Sequence, residues 1–252
     1  MTEPSLQVRR LSKHFGGLAA VDDVSIDVDI GELHAVIGPN GAGKTTLLNL
    51  LSGDLSASSG SIRFGGKEVA HLPPERRSRL GIGRSYQKVN IFAAFSALEN
   101  CRLAAQSRDP HPLNWLRDAA SYEEIMAKAR GALVAIGLAN RGDDIALTLS
   151  HGEQRQLEIA MSLASEPKLL LLDEPLGGLG TEESLKMIEL ISNVAKTHAI
   201  LLVEHDMDAV FQLARVLTVM TNGKVLASGK PDDVRANPDV RRAYLGDFDE
   251  HL

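Results

Sequence analysis

The sequence predicts an α/β fold: a core of mainly parallel sheet, an antiparallel β layer ahead of it, and an inserted helical subdomain. Three observations carry this. Leu33–Ile37 is an apolar strand that runs into Gly38-Pro39-Asn40-Gly41-Ala42-Gly43-Lys44-Thr45 and then into the helical Thr46-Leu47-Leu48-Asn49-Leu50-Leu51. Residues 168–172, Lys-Leu-Leu-Leu-Leu, form a continuous apolar run of strand length, the pattern of a strand covered on both faces of a parallel sheet. Between them, residues 73–164 are mostly helical in spacing.

Taken in order, Leu6–Phe15 and residues 21–30 read as strands joined by a Phe15-Gly16-Gly17 turn, with alternation through Val24-Ser25-Ile26-Asp27-Val28-Asp29-Ile30. Residues 60–64 and 68–69 make a hairpin about Gly65-Gly66. Ala97–Gln106 and residues 122–136 carry helical apolar spacing, and Pro110 and Pro112 keep the segment between them from being helix. Residues 113–116, with the only tryptophan, read as an apolar plug over these helices. From Pro167 the α/β pattern returns. Strand 168–172 is followed by helix 182–196, capped by Thr181 with acids in its first turn, and then by strand Ala199–Val203. A helix near 207–214, strand 216–220, the Asn222-Gly223 turn, strand 225–227 and short helices opening near Pro231 and Pro238 close the chain. This places the core in residues 1–87 and 166–252, and the helical subdomain in 88–165.

At 252 residues and 44% hydrophobic content the chain can bury a full core. A net charge of −6 argues against nucleic acid or an anionic membrane surface as partner, since either calls for a basic stripe. One cysteine, Cys101, excludes an internal disulfide and points to a reducing compartment, with the thiol as a small buried apolar group. The first residues have neither the basic nor the apolar region of a signal peptide, and no apolar run spans a bilayer, so a soluble intracellular chain is expected.

Gly38 to Thr45 fits G-x-x-x-x-G-K-[ST] without a mismatch, between the strand and the helix the motif requires. Its glycines let main-chain N–H groups converge on phosphates at the start of a helix, Lys44 reaches the β/γ-phosphates, and the Thr45 hydroxyl can bind Mg²⁺. Asp173-Glu174 closes the leucine run at a strand's C-terminal end, where α/β sheets bind ligands. Asp173 is then a Mg²⁺ ligand and Glu174 the general base for an attacking water. Leu149-Ser150-His151-Gly152-Glu153 opens a helix and offers a second anion-binding surface, though it reads equally as an N-capped helix start. His205 follows a strand on the same rim, where it can sense a γ-phosphate, and Gln87 lies where core meets helices, able to reach both metal and water.

Together these motifs resemble the nucleotide-binding subunit of an ABC transporter, in the family's order and over nearly the whole chain. Gly38 to Thr45, with Thr46 beside it, corresponds to Walker A and residues 169–174 to Walker B with its glutamate, while 149–153 is similar to the LSGGQ signature. By the same resemblance Gln87 is the Q-loop glutamine, His205 the switch histidine, and Phe15 the aromatic that stacks on adenine. Two departures stand out: His151 and Glu153 replace a glycine and a glutamine of the signature, and Gly180 stands where the D-loop carries aspartate. Residues 15–21, 204–207 and 237–246 are similar to ATP-binding subunits of branched-chain amino acid importers and their relatives for urea, amides and aromatic acids; the ending is shared with the lipopolysaccharide-export ATPase.

The resemblance implies ATP and Mg²⁺ as cofactors. It also implies a head-to-tail dimer with a second ATPase subunit, in which Ser150 and Gly152 of one protomer complete the phosphate loop of the other. Integral membrane permease subunits and, indirectly, an extracytoplasmic solute-binding protein are the further partners, at the cytoplasmic face of the inner membrane, with no nucleic acid. A soluble ABC-type ATPase acting on DNA or ribosomes is a weaker fit, because the chain has one cassette and no extended heptads. A small-molecule P-loop kinase leaves Ser150 and His205 unused.

Overall fold

The computed structural model describes residues 5–108 and 123–244. A six-stranded sheet runs in the order β10-β9-β3-β8-β7-β6, with β3 Leu33–Ile37, β6 Ile82–Arg84, β7 Leu169–Asp173, β8 Ala199–Val203, β9 Val216–Thr221 and β10 Lys224–Gly229. Every pairing is parallel except β9 with β10, which are joined by the Asn222-Gly223 turn. A second, antiparallel sheet has the order β2-β1-β4-β5, with β1 Leu6–Phe15, β2 Leu18–Val28, β4 Ser59–Phe64 and β5 Lys67–Glu68.

The apolar strands are explained by two cores, one on each face of the large sheet. Leu170 and Leu172 of β7 enter one core with Ile200 and Leu202 of β8, while Leu169 and Leu171 enter the other with Leu201 and Val203. Side chains alternate across a strand, so a strand buried on both faces must be apolar throughout. Helix α1 (Lys44–Ser52) lies in the second core, against the antiparallel sheet: Leu47, Leu48, Leu50 and Leu51 are all fully buried there. The first core is closed by α5 (His151–Ala164), α6 (Thr181–Ala195) and the helices α3 (Ala97–Gln106) and α4 (Glu123–Ala135), which pack on α5. Cys101 is buried on α3, and burial pushes its thiol up to about 12.

Several elements differ from expectation. β2 runs from Leu18 to Val28 rather than over 21–30, because Leu18 and Ala19 continue the ladder opposite Phe15 and His14, while the chain turns at Asp29, where Glu32 N–H bonds back. Within the mostly helical stretch α2 (Pro74–Leu80) is followed by β6, whose three residues are too few to show alternation and which pairs with β7. Helix α6 begins at Thr181 with Gly180 as N-cap: the Glu183 carboxylate accepts the Gly180 N–H at 3.3 Å, so the first turn is closed from inside rather than by Thr181. The short helices α7 (Met207–Leu213), α8 (Pro231–Ala236) and α9 (Pro238–Tyr244) complete the chain. The plug expected at 113–116 lies outside the described residues.

Candidate functional site

The C-terminal ends of β3, β8 and β7 are neighbours in the large sheet, and the loops leaving them meet at one rim. After β3 the chain wraps through Gly38 to Gly43. A Cβ on Gly38 would lie 2.2 Å from the Met220 carbonyl oxygen, and one on Gly43, at φ 99°, would lie 2.2 Å from that of Ala20. Only glycine permits both the approach and the left-handed turn. Gly43 is the N-cap of α1, so no side chain caps this helix, and its first turn carries no acid. Such a helix start turns main-chain donors and positive potential outward. The buried Lys44 ammonium folds onto its own loop, donating to the carbonyls of Gly38 (2.6 Å) and Pro39 (3.1 Å). Burial lowers its pKa, against the opposing pull of Glu174 and Asp173.

Asp173 ends β7 and is 1% exposed. Its Oδ1 is buried with no hydrogen-bond partner, and its Oδ2 stands 3.6 Å from the Arg84 guanidinium. Burial raises its pKa, while Arg84 and Lys44 oppose the rise. A buried carboxylate oxygen lacking a donor, near Lys44, fits a hard divalent cation that takes its other ligands from phosphates and water. Among the described residues, no group of three or more His, Cys, Asp or Glu could hold a metal unaided.

Glu174 has φ 49°, a left-handed conformation that costs a non-glycine residue about 1–3 kcal/mol and persists only where surroundings impose it. The surroundings are explicit. Glu174 N–H donates to Val203 O at 2.9 Å, and Gly177 N–H to Glu174 O at 3.0 Å. The fully buried Glu204 accepts from Leu176 N–H (2.8 Å) and His205 N–H (3.0 Å), tying the turn after β7 to the end of β8. Burial raises the Glu204 pKa, and those N–H donors counter it. The Glu174 carboxylate accepts from Gln87 Nε2 at 2.9 Å.

A cavity of about 370 Å³ gathers Asn40, Gly41, Ala42, Gly43, Lys44, Thr45 and Thr46 with Gln87, Glu174 and Asn222. Gly38 and Pro39 back it through Lys44. Phe15 does not line it: the ring is half-exposed with the Lys13 ammonium 5.1 Å above it, and Leu18-Ala19-Ala20 form the adjacent wall. The His205 side chain is exposed outside the cavity. Ser150 and Gly152 border a separate cavity of about 630 Å³, with Glu183. Sequence reasoning missed Arg84, Glu204 and Asn222. Arg84 ends a strand that pairs with β7, so it is a charge at the same rim as Asp173, and that position was its only signal.

Residues 21–177 match the family model described as ABC transporter, and residues 224–250 the model described as branched-chain amino acid ATP-binding cassette transporter. The chain belongs to the ABC transporter family. This ABC ATPase is 37% identical to the high-affinity branched-chain amino acid transport ATP-binding protein LivG of Salmonella typhimurium, over 98% of this chain and 100% of the relative. It is 38% identical to BraF of Pseudomonas aeruginosa, described in the same words, over 98% and 100%. Among solved structures, the ADP conformation of MJ1267, an ATP-binding cassette of an ABC transporter, aligns with a TM-score of 0.85 at 30% identity, covering 97% of this chain and all of that one.

In this ABC ATPase the signature-like segment is finished internally. Ser150 Oγ accepts the Glu153 N–H at 3.2 Å, and the Glu153 carboxylate accepts the Ser150 N–H at 2.8 Å, a closed capping box. Arg141 donates to Glu153 at 2.8 Å. Glu153 thus keeps the cap that a glutamine could also close and adds the pairing with Arg141. Gly152 lies close to Glu183, and a Cβ there would stand 2.8 Å from Glu183 Oε1, so that carboxylate would have to shift. His151 sits over Gly178, its Nε2 3.4 Å from where a Cβ of that residue would stand. Ser150 is exposed, so its hydroxyl proton and the helix start are open to an approaching molecule.

Proposed function

We propose that this ABC ATPase drives an importer for branched-chain amino acids or a related small polar solute, from the cytoplasmic face of the membrane and together with permease subunits. The solute class rests on the names of LivG and BraF and on the match over residues 224–250. Among the described residues no helix is long and apolar enough to cross a membrane, and in this reading the permease subunits supply the transport path. The observation that carries the reading is the convergence of Lys44, Thr45, Gln87 and Glu174 on the uncapped start of α1.

In this reading Lys44 and the loop N–H groups bind the β/γ-phosphates, and Phe15 stacks on adenine. Thr45, Asp173 and Gln87 would hold Mg²⁺, which when bound would supply charge neutralisation to the phosphate oxygens. Glu174 polarises the attacking water, with Gln87 holding its carboxylate in place, and His205 orients the same water. Ser150 and Gly152 of a second ATPase subunit complete the site head to tail, and the helical subdomain at 88–165 moves as the dimer closes. ATP must favour the closed pair and ADP the open one for work to be done. A groove of about 360 Å³ beside β6, flanked by Arg84, Tyr86 and Glu158, gives permease subunits a place to feel that motion, and the stacked Phe92 and Phe95 are half-exposed.

Glu174→Gln is expected to lower steady-state phosphate release by roughly 10²- to 10⁴-fold while ATP binding and ATP-dependent dimerisation on a sizing column persist. Undiminished release would remove Glu174 from the role of base. A pull-down from detergent-solubilised membranes should recover integral membrane subunits; recovery of none would favour a soluble ABC ATPase instead.

A further inference from the structure

We propose that Arg84 is a positioning residue whose guanidinium, tethered by Asp54 and Ser52, sets how strongly Asp173 draws a divalent cation. The proposal rests on the cation role assigned above to Asp173.

The Arg84 side chain is 7% exposed and has three kinds of neighbour. Its Nη1 donates to Asp54 Oδ2 at 2.7 Å and to Ser52 Oγ at 2.6 Å, and the Ser52 hydroxyl itself donates to Asp54 at 2.7 Å. Its Nη2 stands 3.6 Å from Asp173 Oδ2, within ion-pair range and too far for a hydrogen bond. Its carbon lies 4.6 Å from the centre of the Tyr86 ring, which bounds the guanidinium on one face. Arg84 Nε and Asp173 Oδ1 are both buried without partners, so neither group is satisfied by the other.

The arrangement keeps a unit positive charge beside Asp173 without letting it take the carboxylate. Asp54 follows Gly53, the C-cap of α1, so the helix that begins at the phosphate loop ends at the tether. A fixed cation beside a carboxylate opposes a second cation there, and in a poorly solvated site the opposition is weakly screened. Asp54 limits that opposition by holding the guanidinium back. Removing the Arg84 charge should therefore tighten the divalent cation, and cutting the Asp54 tether should let the guanidinium close on Asp173 and weaken it. Tyr86 carries the same position to α5: its N–H donates to Glu158 at 3.0 Å and its carbonyl accepts from Arg155 at 3.1 Å.

The test uses the full chain carrying Glu174→Gln, so that ATP is bound and not turned over. ATP affinity is read by displacement of a fluorescent nucleotide in Mg²⁺ and again in EDTA, and the ratio of the two is the readout. R84M should raise the ratio about threefold or more, D54N should lower it by a similar factor, and R84K should restore most of the wild-type value, with affinity in EDTA unchanged throughout. D54N, at an exposed position just past the end of α1, keeps the test available if R84M does not fold. Shifts of R84M and D54N in the same direction, or ratios within twofold of wild type in both, would overturn the proposal while D173N still loses the Mg²⁺ dependence. A wild-type ratio in D173N would overturn it together with the cation role of Asp173.

Discussion

Helices α1 and α5 both start at polar rims of the molecule, and they are finished in opposite ways. At Gly43 there is no side-chain acceptor and no acid in the first turn, and a lysine is the first helical residue. At Ser150 the hydroxyl and the Glu153 carboxylate satisfy each other's main-chain donors, and Arg141 neutralises the acid. The difference separates two uses of one dipole. A start stripped of caps is incomplete without an anion, so binding can be carried by the main chain itself. A start that is already capped contributes stability on its own, and offers an incoming phosphate only a hydroxyl proton and a partial charge.

The comparison breaks first at Gly43. Gly43→Ala places a methyl 2.2 Å from Ala20 O at φ 99° and should abolish nucleotide binding with a stability loss of at least about 2 kcal/mol, read by calorimetry and denaturant melts. Retained binding would show that the loop tolerates a side chain there. Lys44→Ala should weaken ATP binding roughly 10- to 100-fold, the worth of a charge-assisted contact, without lowering the melting temperature, because a buried ammonium is removed. Ser150→Ala is expected to lower stability by about 1 kcal/mol while ATP affinity of the single chain is unchanged, a pattern that a shared role with Gly43 would not produce.

The carboxylates near the two starts sharpen the contrast further. Burial holds the Asp173 pKa above its unfolded value, so its charged form costs stability at neutral pH and the cost fades as pH falls through the folded value toward the unfolded one. Asp173→Asn should accordingly melt higher than wild type at pH 7, with the gap closing toward pH 4; a gap that widens in acid would reverse the sign. Glu153→Gln should change least. Glutamine can still close the capping box, and only an exposed pairing with Arg141 is lost, so the melting temperature should move by no more than a degree or two.

Much of the fold was legible because its strongest signals are local. The strand, loop and helix around Lys44 occupy consecutive residues, and four leucines in a row admit few readings once both faces of a sheet must be covered. The cap of α6 was not, since Thr181 looks like a capping residue and the actual closure comes from Glu183 reaching back to Gly180. Strand β6 is too short for any period and exists because β7 pairs with it. At the site, the residues of the Gly38–Thr45 loop share one segment, whereas Arg84 and Glu204 act through partners 30 and 28 residues away, and pairing at that distance leaves no trace in spacing. Phe15, Ser150 and His205 stay outside the cavity in a single chain, so nothing local in the sequence could have fixed their geometry.

The alternation of Leu169 to Leu172 between two interiors has a consequence for how the molecule tolerates change in length. Deleting one leucine would send every strand residue on one side of the gap to the opposite interior, and with the start of the strand held it would swing the acid at its end to the wrong side of the sheet. A chain that accepts many substitutions along this strand should accept no indel there, and a deletion scan through the gene would find its sharpest intolerance in those four codons.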